Sequence, residues 1–303
     1  MEFDLIIVNY NTTKLTIECI DSASKTFDKD FNVIVVDNGS KIDDTDLILE
    51  KYPKVTLIKN KTNLGYAGAI NIGVKYSITN NLILSNSDII FTENSIKIIL
   101  DKLNSNEADI AGPQQIYLNY MWQQSYGIFP GIKLGILDFL LINIIIRNYN
   151  RKFYNYKNPR IKPKQVDFID GGIIFVRKDI FEKVGGFDKD FDFYSEETAF
   201  CYQAKKLNAK IIHYPNSIII HHRGASYGPE KIPIDYIERM IYSKIKFCKK
   251  YRSKIETKIY ILLEAYSFLL SHLISKFFRP IDKKYQNNYK EIYHIWKKVL
   301  NEI

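Results

Sequence analysis

Two adjacent carboxylates, Glu196 and Glu197, follow a Gly185-Gly186-Phe187-Asp188 turn and an aromatic-acidic loop. A carboxylate beside a hydroxyl can take its proton as that hydroxyl attacks an electrophile. A second reactive stretch, His221-His222-Arg223-Gly224-Ala225-Ser226, comes soon after. A third lies far upstream, at Asn86-Ser87-Asp88. A carboxylate there can hold a hard divalent ion that also binds diphosphate oxygens. A base on one side of an electrophile and a cation on the other are the two halves of a group transfer. Each piece also has an ordinary explanation. Acidic residues suit a first helical turn, Asn-Ser-Asp suits an Asx turn, and two histidines at a strand end can be buried and hydrogen-bonded.

The elements around these residues decide between such readings. Residues 3–10 (FDLIIVNY) form a nearly continuous apolar run, the pattern of a strand buried on both faces. Asn11-Thr12-Thr13 then offers N-cap chemistry for a helix to about Ser24. Residues 32–36 read as a second buried strand, ending in Asp37-Asn38-Gly39-Ser40. A helix, a third strand (55–59), a glycine-rich helix start and a fourth strand (81–85) follow. This alternation predicts a parallel, doubly wound α/β sheet, whose ligands bind beyond the carboxyl ends of the strands. Asn9, Asp37, residues 60–63 and Asn86-Ser87-Asp88 all collect at that edge.

Asp37 can accept from a nucleobase N–H or a ribose hydroxyl, and equally can cap a turn. Asn63-Leu64-Gly65-Tyr66-Ala67-Gly68-Ala69-Ile70-Asn71-Ile72-Gly73 places glycines at a helix start, where backbone can approach a phosphate. Tight helix–sheet packing explains the same glycines. The stretch is neither G-x-G-x-x-G nor a Walker A motif, so hydride transfer and ATP hydrolysis lack their fingerprint.

Beyond Gly112-Pro113 the alternation weakens. Residues 134–146 are strongly apolar but contain Asp138 and Asn143. They fall short of the roughly 20 residues of a membrane span and read as a buried or interface-lying helix. Residues 148–164 read as a mobile surface loop. Residues 166–177 read as a strand interrupted by Gly171-Gly172, and 211–213 and 217–221 as two short strands. From Pro233 the chain reads as helical, over 234–251 and 255–278. Glu256, Lys258, Glu264, His272 and Lys276 break the apolar character of the second helix, which does not read as a span.

A chain of 303 residues can bury a sizeable core. Its net charge of +9 is unevenly spread. Residues 231–303 hold 16 Lys/Arg against 7 Asp/Glu, whereas the first 230 residues carry 27 of each. The expected organisation is a catalytic domain over 1–230 and a basic amphipathic tail over 231–303, suited to an anionic membrane surface or packed on the domain with a solvated basic face. The basic residues alternate with large aliphatics and no nucleic-acid-binding motif is present, so nucleic acid is not an expected partner. Cys19, Cys201 and Cys248 are scattered and form no CxxC. Neither a disulfide framework nor a zinc cluster is expected, and a reducing cytosol fits. Met1-Glu2-Phe3-Asp4 runs directly into a strand, and no signal peptide is expected.

Ile7-Val8-Asn9-Tyr10-Asn11, Val35-Val36-Asp37-Asn38-Gly39-Ser40, the Asn63 to Gly73 stretch, Asn86-Ser87-Asp88, Gly185-Gly186-Phe187-Asp188 and His221-x-x-Gly224-x-Ser226 occur in that order. As an ordered set over about residues 3–228 they resemble family 2 glycosyltransferases of the GT-A fold, especially the bacterial rhamnosyltransferase-like branch. The resemblance implies a Rossmann-like, mostly parallel central sheet flanked by helices, with a C-terminal helical extension. It implies inverting transfer of a sugar from a nucleotide diphosphate donor, with Mg²⁺ or Mn²⁺ as cofactor. Asn9, Tyr10, Asn11, Asp37, Asn63, Gly65, Asn71 and Asn86 then match nucleotide-binding positions, and Asp88 and His221 match the metal and diphosphate positions. Glu197 matches the general base, with Gly171, Gly172 and Glu196 near the acceptor or donor sugar. The favoured donor is dTDP-L-rhamnose, with a UDP-sugar second. The acceptor is a saccharide or a lipid-linked sugar in cell-surface polysaccharide synthesis, at the inner face of the cytoplasmic membrane. The sequence departs from the family pattern at Asn86 and Glu197, where Asp is more usual, and at Ala199 and Gln203, where an acid and an arginine are common. Those departures motivate an alternative, a non-catalytic nucleotide-sugar- or carbohydrate-binding relative.

Overall fold

The apolar runs of the first ninety residues lie side by side as β1 (Asp4–Asn9), β2 (Asn32–Asp37), β3 (Thr56–Lys59) and β4 (Asn81–Asn86). They are parallel in the order β3-β2-β1-β4, with α1 (Thr13–Thr26), α2 (Asp46–Lys51) and α3 (Gly65–Val74) connecting them. The register sets Asn9 opposite Asp37 and Val8 opposite Asn86, so three strand ends meet at one edge. The computed structural model describes residues 1–42, 44–157, 159, 162–191, 194–222, 233–277 and 288–302. Asp192 and Phe193 of the aromatic-acidic loop, and Arg223, Gly224 and Ser226 of the histidine motif, lie outside the described residues.

The sheet continues through β5 (Ile89–Phe91), β6 (Ile110–Ile116), β8 (Lys164–Gln165), β10 (Ile173–Arg177) and β11 (Ile211–His221) to nine strands among the described residues. β10 sits between β4 and β6, antiparallel to both, and β11 runs parallel to β6. Six strands therefore share one direction, while β5, β8 and β10 oppose it. A separate two-stranded pairing joins β7 (Tyr126–Gly127) to β9 (Phe168–Ile169). Helices α4 (Ser95–Asn104), α7 (Lys178–Val184) and α8 (Glu196–Lys206) complete this part. Phe3, Leu5, Ile7, Val35, Ile83 and Phe175 pack with Ile20, Ile96 and Ile99 in its core. Each such side chain contributes about 1.5–3 kcal/mol when removed from water. Asp4 is a buried carboxylate with a purely internal role: it accepts from Asn32 Nδ2, the Ile78 and Thr79 amides and Thr79 Oγ1.

The local expectations are corrected at five places. Thr12 stands at the start of α1 without capping it; its hydroxyl bonds Asn9 Oδ1 and Ser87 Oγ instead. The expected single helix over 134–146 is two, α5 (Ile132–Phe139) and α6 (Ile142–Phe153), because Leu141 takes a left-handed φ of 57°. The expected loop over 148–164 is helical as far as Phe153. Residues 166–177 divide at Gly171-Gly172 into β9 and β10, which belong to different sheets. The two short strands over 211–221 are one strand with a register shift between Tyr214 and Ile218.

The chain forms two compact units. The first gathers Met1–Gly127, Asn155–Asp192 and Glu196–Arg223, and contains the whole nine-stranded sheet. The second gathers Ile128–Tyr154, Phe193–Ser195 and Gly224–Ile303. In it α5 and α6 join α9 (Ile234–Tyr251), α10 (Lys254–Phe277) and α11 (Tyr289–Asn301). Tyr260, Trp296, Tyr289 and Phe247 form its buried aromatic centre. Gly135 lets α5 approach α10, since a Cβ there would already lie 3.0 Å from Leu263. α6 buries Ile144 but leaves Ile145, Ile146, Tyr149 and Phe153 exposed. Among the described residues one helical segment, Lys254–Ser275, is long and apolar enough to cross a membrane by length and composition.

Candidate active site

At the carboxyl edge of β1 and β2, Asn9 is fully buried and donates to Asp37 Oδ1 at 3.2 Å. Ser40 adds its hydroxyl and its amide to the same oxygen. All hydrogen bonds to the Asp37 carboxylate from the described residues fall on Oδ1, which leaves Oδ2 for a ligand donor. Asn11, at a left-handed φ of 55°, accepts from the Lys41 and Ile42 amides and so braces the following turn. Tyr10 stands exposed beside it. Asp37 and Ser40 line a surface cleft of about 530 Å³, with Ile42, Asp44, Thr45, Asp46 and Lys59.

The glycine-rich helix start resolves differently. Asn63 Oδ1 accepts from Asn38 Nδ2 and from the Gly65 amide, while the Gly65 carbonyl accepts from Asn38. Gly65 has φ +72°, and its own amide is engaged in the loop. Gly73 is a packing glycine: a Cβ would lie 2.5 Å from Ile6 Cγ2 on β1. Asn71 donates to the Phe187 carbonyl at 2.7 Å and accepts from its amide at 2.8 Å. This reciprocal pair holds the Gly185-Gly186 turn against α3, so the Asn71 amide works inside the protein.

From the Asn9–Asp37 cluster the network runs to Asn86-Ser87-Asp88. Thr12 Oγ1 lies 2.9 Å from Ser87 Oγ, between Asn86 and Asp88. The Asn86 amide donates to the Gly172 carbonyl at 3.0 Å, and its side chain makes no hydrogen bond with the described residues. Asp88 Oδ1 lies 3.3 Å from His221 Nε2. Burial works to raise the Asp88 pKa, but the hydrogen bond and charge of His221 outweigh it, and the net shift is downward.

Gln115 and Asp170 stand behind His221, and neither was expected from the sequence. Gln115 donates through Nε2 to Asp170 Oδ1 at 3.2 Å, which turns its Oε1 to His221 Nδ1 at 2.7 Å. Nδ1 must carry the proton in that bond, so the Nε2 edge faces Asp88. The Gly172 amide also donates to Asp170. Gln123 Nε2 holds the His221 carbonyl at 2.6 Å. The available signal was Gln114-Gln115 inside an otherwise apolar strand, where buried amides need partners.

The acidic pair opens α8. Glu196 is buried, whereas Glu197 is half-buried and borders Gly171, whose Cβ would lie 3.5 Å from its carboxylate. Burial pushes the Glu197 carboxyl well above its ordinary range, and the charges of Glu196 and Asp170 add to this. Tyr194 and Ser195, just before the helix, both have left-handed φ angles (65° and 67°). Asp170-Gly171-Gly172 thus separates a carboxylate poised to bind a proton from the Asp88–His221 pair.

The expected divalent ion meets a partial site. Among the described residues no group of three or more His, Cys, Asp or Glu side chains is placed to hold a metal. With the Nδ1–H engaged by Gln115, however, the Nε2–H that donates to Asp88 Oδ1 in the imidazolium form is the position a cation would replace once the ring is neutral. A histidine oriented by a carbonyl oxygen is the usual metal-ligand arrangement. Mg²⁺ and Mn²⁺ commonly take one or two protein ligands and complete their shells with phosphate oxygens and water. The pair fits an ion bound together with a diphosphate.

Residues 4–185 match the family described as Glycosyl transferase family 2. Among characterised proteins the chain is 23% identical over 236 residues to an N-acetylglucosaminyl-diphospho-decaprenol L-rhamnosyltransferase of Mycobacterium tuberculosis, covering 74% of this chain and 77% of that one. It is 24% identical over 219 residues to a low-salt glycan biosynthesis hexosyltransferase of Haloferax volcanii, covering 69% and 64%. Among solved structures, a mannosyltransferase from Pyrobaculum calidifontis in complex with GDP-Man and Mn²⁺ superposes with a TM-score of 0.63 at 12% identity, over 99% of this chain and 86% of that one. GalNAc-T7 with UDP, GalNAc and Mn²⁺ gives 0.61 at 13% identity, over 99% and 55%. The fold is GT-A, as the sequence resemblance implied.

Proposed function

The chain belongs to glycosyl transferase family 2, and from that premise we propose an inverting transferase that moves a sugar from a nucleotide diphosphate to a saccharide or lipid-linked acceptor. L-rhamnose from dTDP-rhamnose is the favoured donor, in cell-surface polysaccharide synthesis. The observation that carries this reading is the separation of the raised Glu197 carboxyl from the Asp88–His221 pair by Asp170-Gly171-Gly172. An attack opposite a leaving diphosphate needs a base and a cationic site on two sides of the sugar.

Asp37 Oδ2 accepts a donor N–H of the base or a ribose hydroxyl, while Asn9 and Ser40 keep the carboxylate turned toward it. Asp88 and His221 would hold the ion, and a bound Mg²⁺ or Mn²⁺ offsets the charge that develops on the departing diphosphate. Gln115 keeps His221 in the tautomer that presents Nε2. Glu197 takes the proton of the acceptor hydroxyl; its raised pKa makes it a stronger base than an exposed carboxylate. Glu196 lies beside it to bind substrate hydroxyls.

The reading places the enzyme peripherally at the inner face of the cytoplasmic membrane. Supporting it are the exposed Ile145, Ile146, Tyr149 and Phe153 on α6, the exposed Ile255, Ile259, Leu262 and Tyr266 on α10, and the basic tail. Co-sedimentation with vesicles containing anionic lipid, and absence of it with neutral vesicles, is the expected result; no binding to either contradicts the membrane role.

A thermal-shift panel of nucleoside diphosphates with and without Mn²⁺ tests the donor. Stabilisation by dTDP but not UDP supports rhamnosyl transfer, and the reverse favours a UDP-sugar. Nucleotide-sugar binding with no transfer to any acceptor would favour the non-catalytic alternative.

A further inference from the structure

The Tyr66 hydroxyl is buried and makes no hydrogen bond with the described residues. Tyr66 lies in the first turn of α3, and its ring packs on Phe187 at a centroid distance of 6.1 Å. Phe187 is itself fixed by the two Asn71 bonds and by an edge contact with Phe181, so the phenol is carried on a braced wall. A buried O–H without an acceptor forfeits the hydrogen bond that water gave it in the unfolded chain. Buried polar groups in folded proteins are almost always paired, with protein, ordered water or a ligand.

Burial, followed by the charges of Glu196, Glu197, Asp88 and Asp170, keeps this phenol protonated far beyond the ordinary tyrosine range, so it acts as a donor. Of these, Glu197 and Asp170 border Gly171-Gly172, and Asp88 pairs with His221, against which Gly172 packs. A ligand oxygen at Tyr66 must therefore accept from the phenol while lying among carboxyl groups, of which Asp88 is held ionised. A phosphate oxygen is repelled there. A sugar hydroxyl is not, because it accepts through its oxygen and donates through its own hydrogen.

We propose that the Tyr66 hydroxyl donates to a hydroxyl oxygen of the transferred sugar, and that it is a residue by which the site recognises the sugar rather than the nucleotide. This rests on the glycosyltransferase reading, which places the sugar between Glu197 and the Asp88–His221 pair.

The test compares wild type with Tyr66→Phe by calorimetric titration in Mn²⁺, using dTDP or UDP and the matching nucleotide sugars. The expected result is unchanged affinity for the nucleoside diphosphate and about tenfold weaker binding of the nucleotide sugar, the loss of one hydrogen bond in a buried site. Since no described residue accepts from the hydroxyl, the melting temperature of the variant should equal or exceed that of wild type. Equal affinities of both proteins for the nucleotide sugar overturn the proposal and leave the glycosyltransferase reading intact. Parallel loss of diphosphate affinity, or a lower melting temperature, overturns it in favour of a phosphate contact or a structural bond. A wild type that binds no nucleotide sugar overturns both.

Discussion

Gly172 and His221 are packed so closely that a Cβ on Gly172 would lie 2.7 Å from His221 Cε1 and 2.9 Å from Nδ1. The histidine cannot retreat easily, because Gln115 holds its ring and Gln123 its carbonyl. Gly172→Ala should therefore displace the ring, cost about 1–3 kcal/mol of stability and weaken Mn²⁺-dependent nucleotide binding. The neighbouring Gly171→Ala meets only ordinary contact, 3.5 Å from the Glu197 side chain. Its stability should stay within about 0.5 kcal/mol of wild type. Paired melting curves and nucleotide titrations check the contrast; equal behaviour of the two variants contradicts it.

Asn71 offers a second contrast. Both ends of its amide engage the Phe187 backbone, and Gly186 makes room, since a Cβ there would lie 2.6 Å from Asn71 Oδ1. Asn71→Ala leaves that amide and carbonyl unpaired, a loss of about 1–3 kcal/mol. The melting temperature should fall while nucleoside diphosphate affinity is retained. Lost affinity at an unchanged melting temperature would restore the direct nucleotide contact that the resemblance implied.

Glu264 makes stability pH-dependent in the helical unit. Its pKa is raised from 4.5 to about 8, by burial first and by the charge of Asp138 second, against an opposing contribution from Lys244. A raised folded-state value means that the native state holds the proton more tightly than the unfolded chain. Stability is complete below the unfolded pKa and declines as pH rises toward about 8, by up to about 1.4 kcal/mol per pH unit. Glu264→Gln should flatten this decline and stabilise the protein at pH 8 more than at pH 5. Identical pH profiles of melting temperature for variant and wild type rule the assignment out.

The parallel half of the fold was legible because apolar runs such as Leu5-Ile6-Ile7-Val8 and Val33-Ile34-Val35-Val36 have few other places to go. The strand-end residues followed from that topology. The Leu141 break was not legible, because leucine has no preference for a left-handed φ and the Asn143–Asp138 bond across the turn follows no periodicity. Roles within the site were also hidden. Asn71 and Asn63 look like ligand contacts in the sequence, yet their amides brace loops, and Gln115 links His221, 106 residues away, to Asp170, 55 residues away, in contacts no local pattern reports. Asp4 and Asp88 illustrate the same limit: both are carboxylates on adjoining strands or turns, and only their partners separate Asp4, satisfied by backbone and side-chain donors, from Asp88, which faces His221.

The proposal depends most on Glu197 as the base. Its carboxyl must be ionised to accept a proton, and burial raises its pKa, so the transfer rate of wild type should climb with pH above the ordinary carboxylate range. The direct measurement is the pH–rate profile of transfer for wild type and Glu197→Gln with the donor found by the nucleotide panel. The account predicts a kcat lower by about 10²–10⁴-fold in the variant, loss of the rising limb, and unchanged nucleotide affinity. A variant that keeps the wild-type rate and the same rising limb contradicts it.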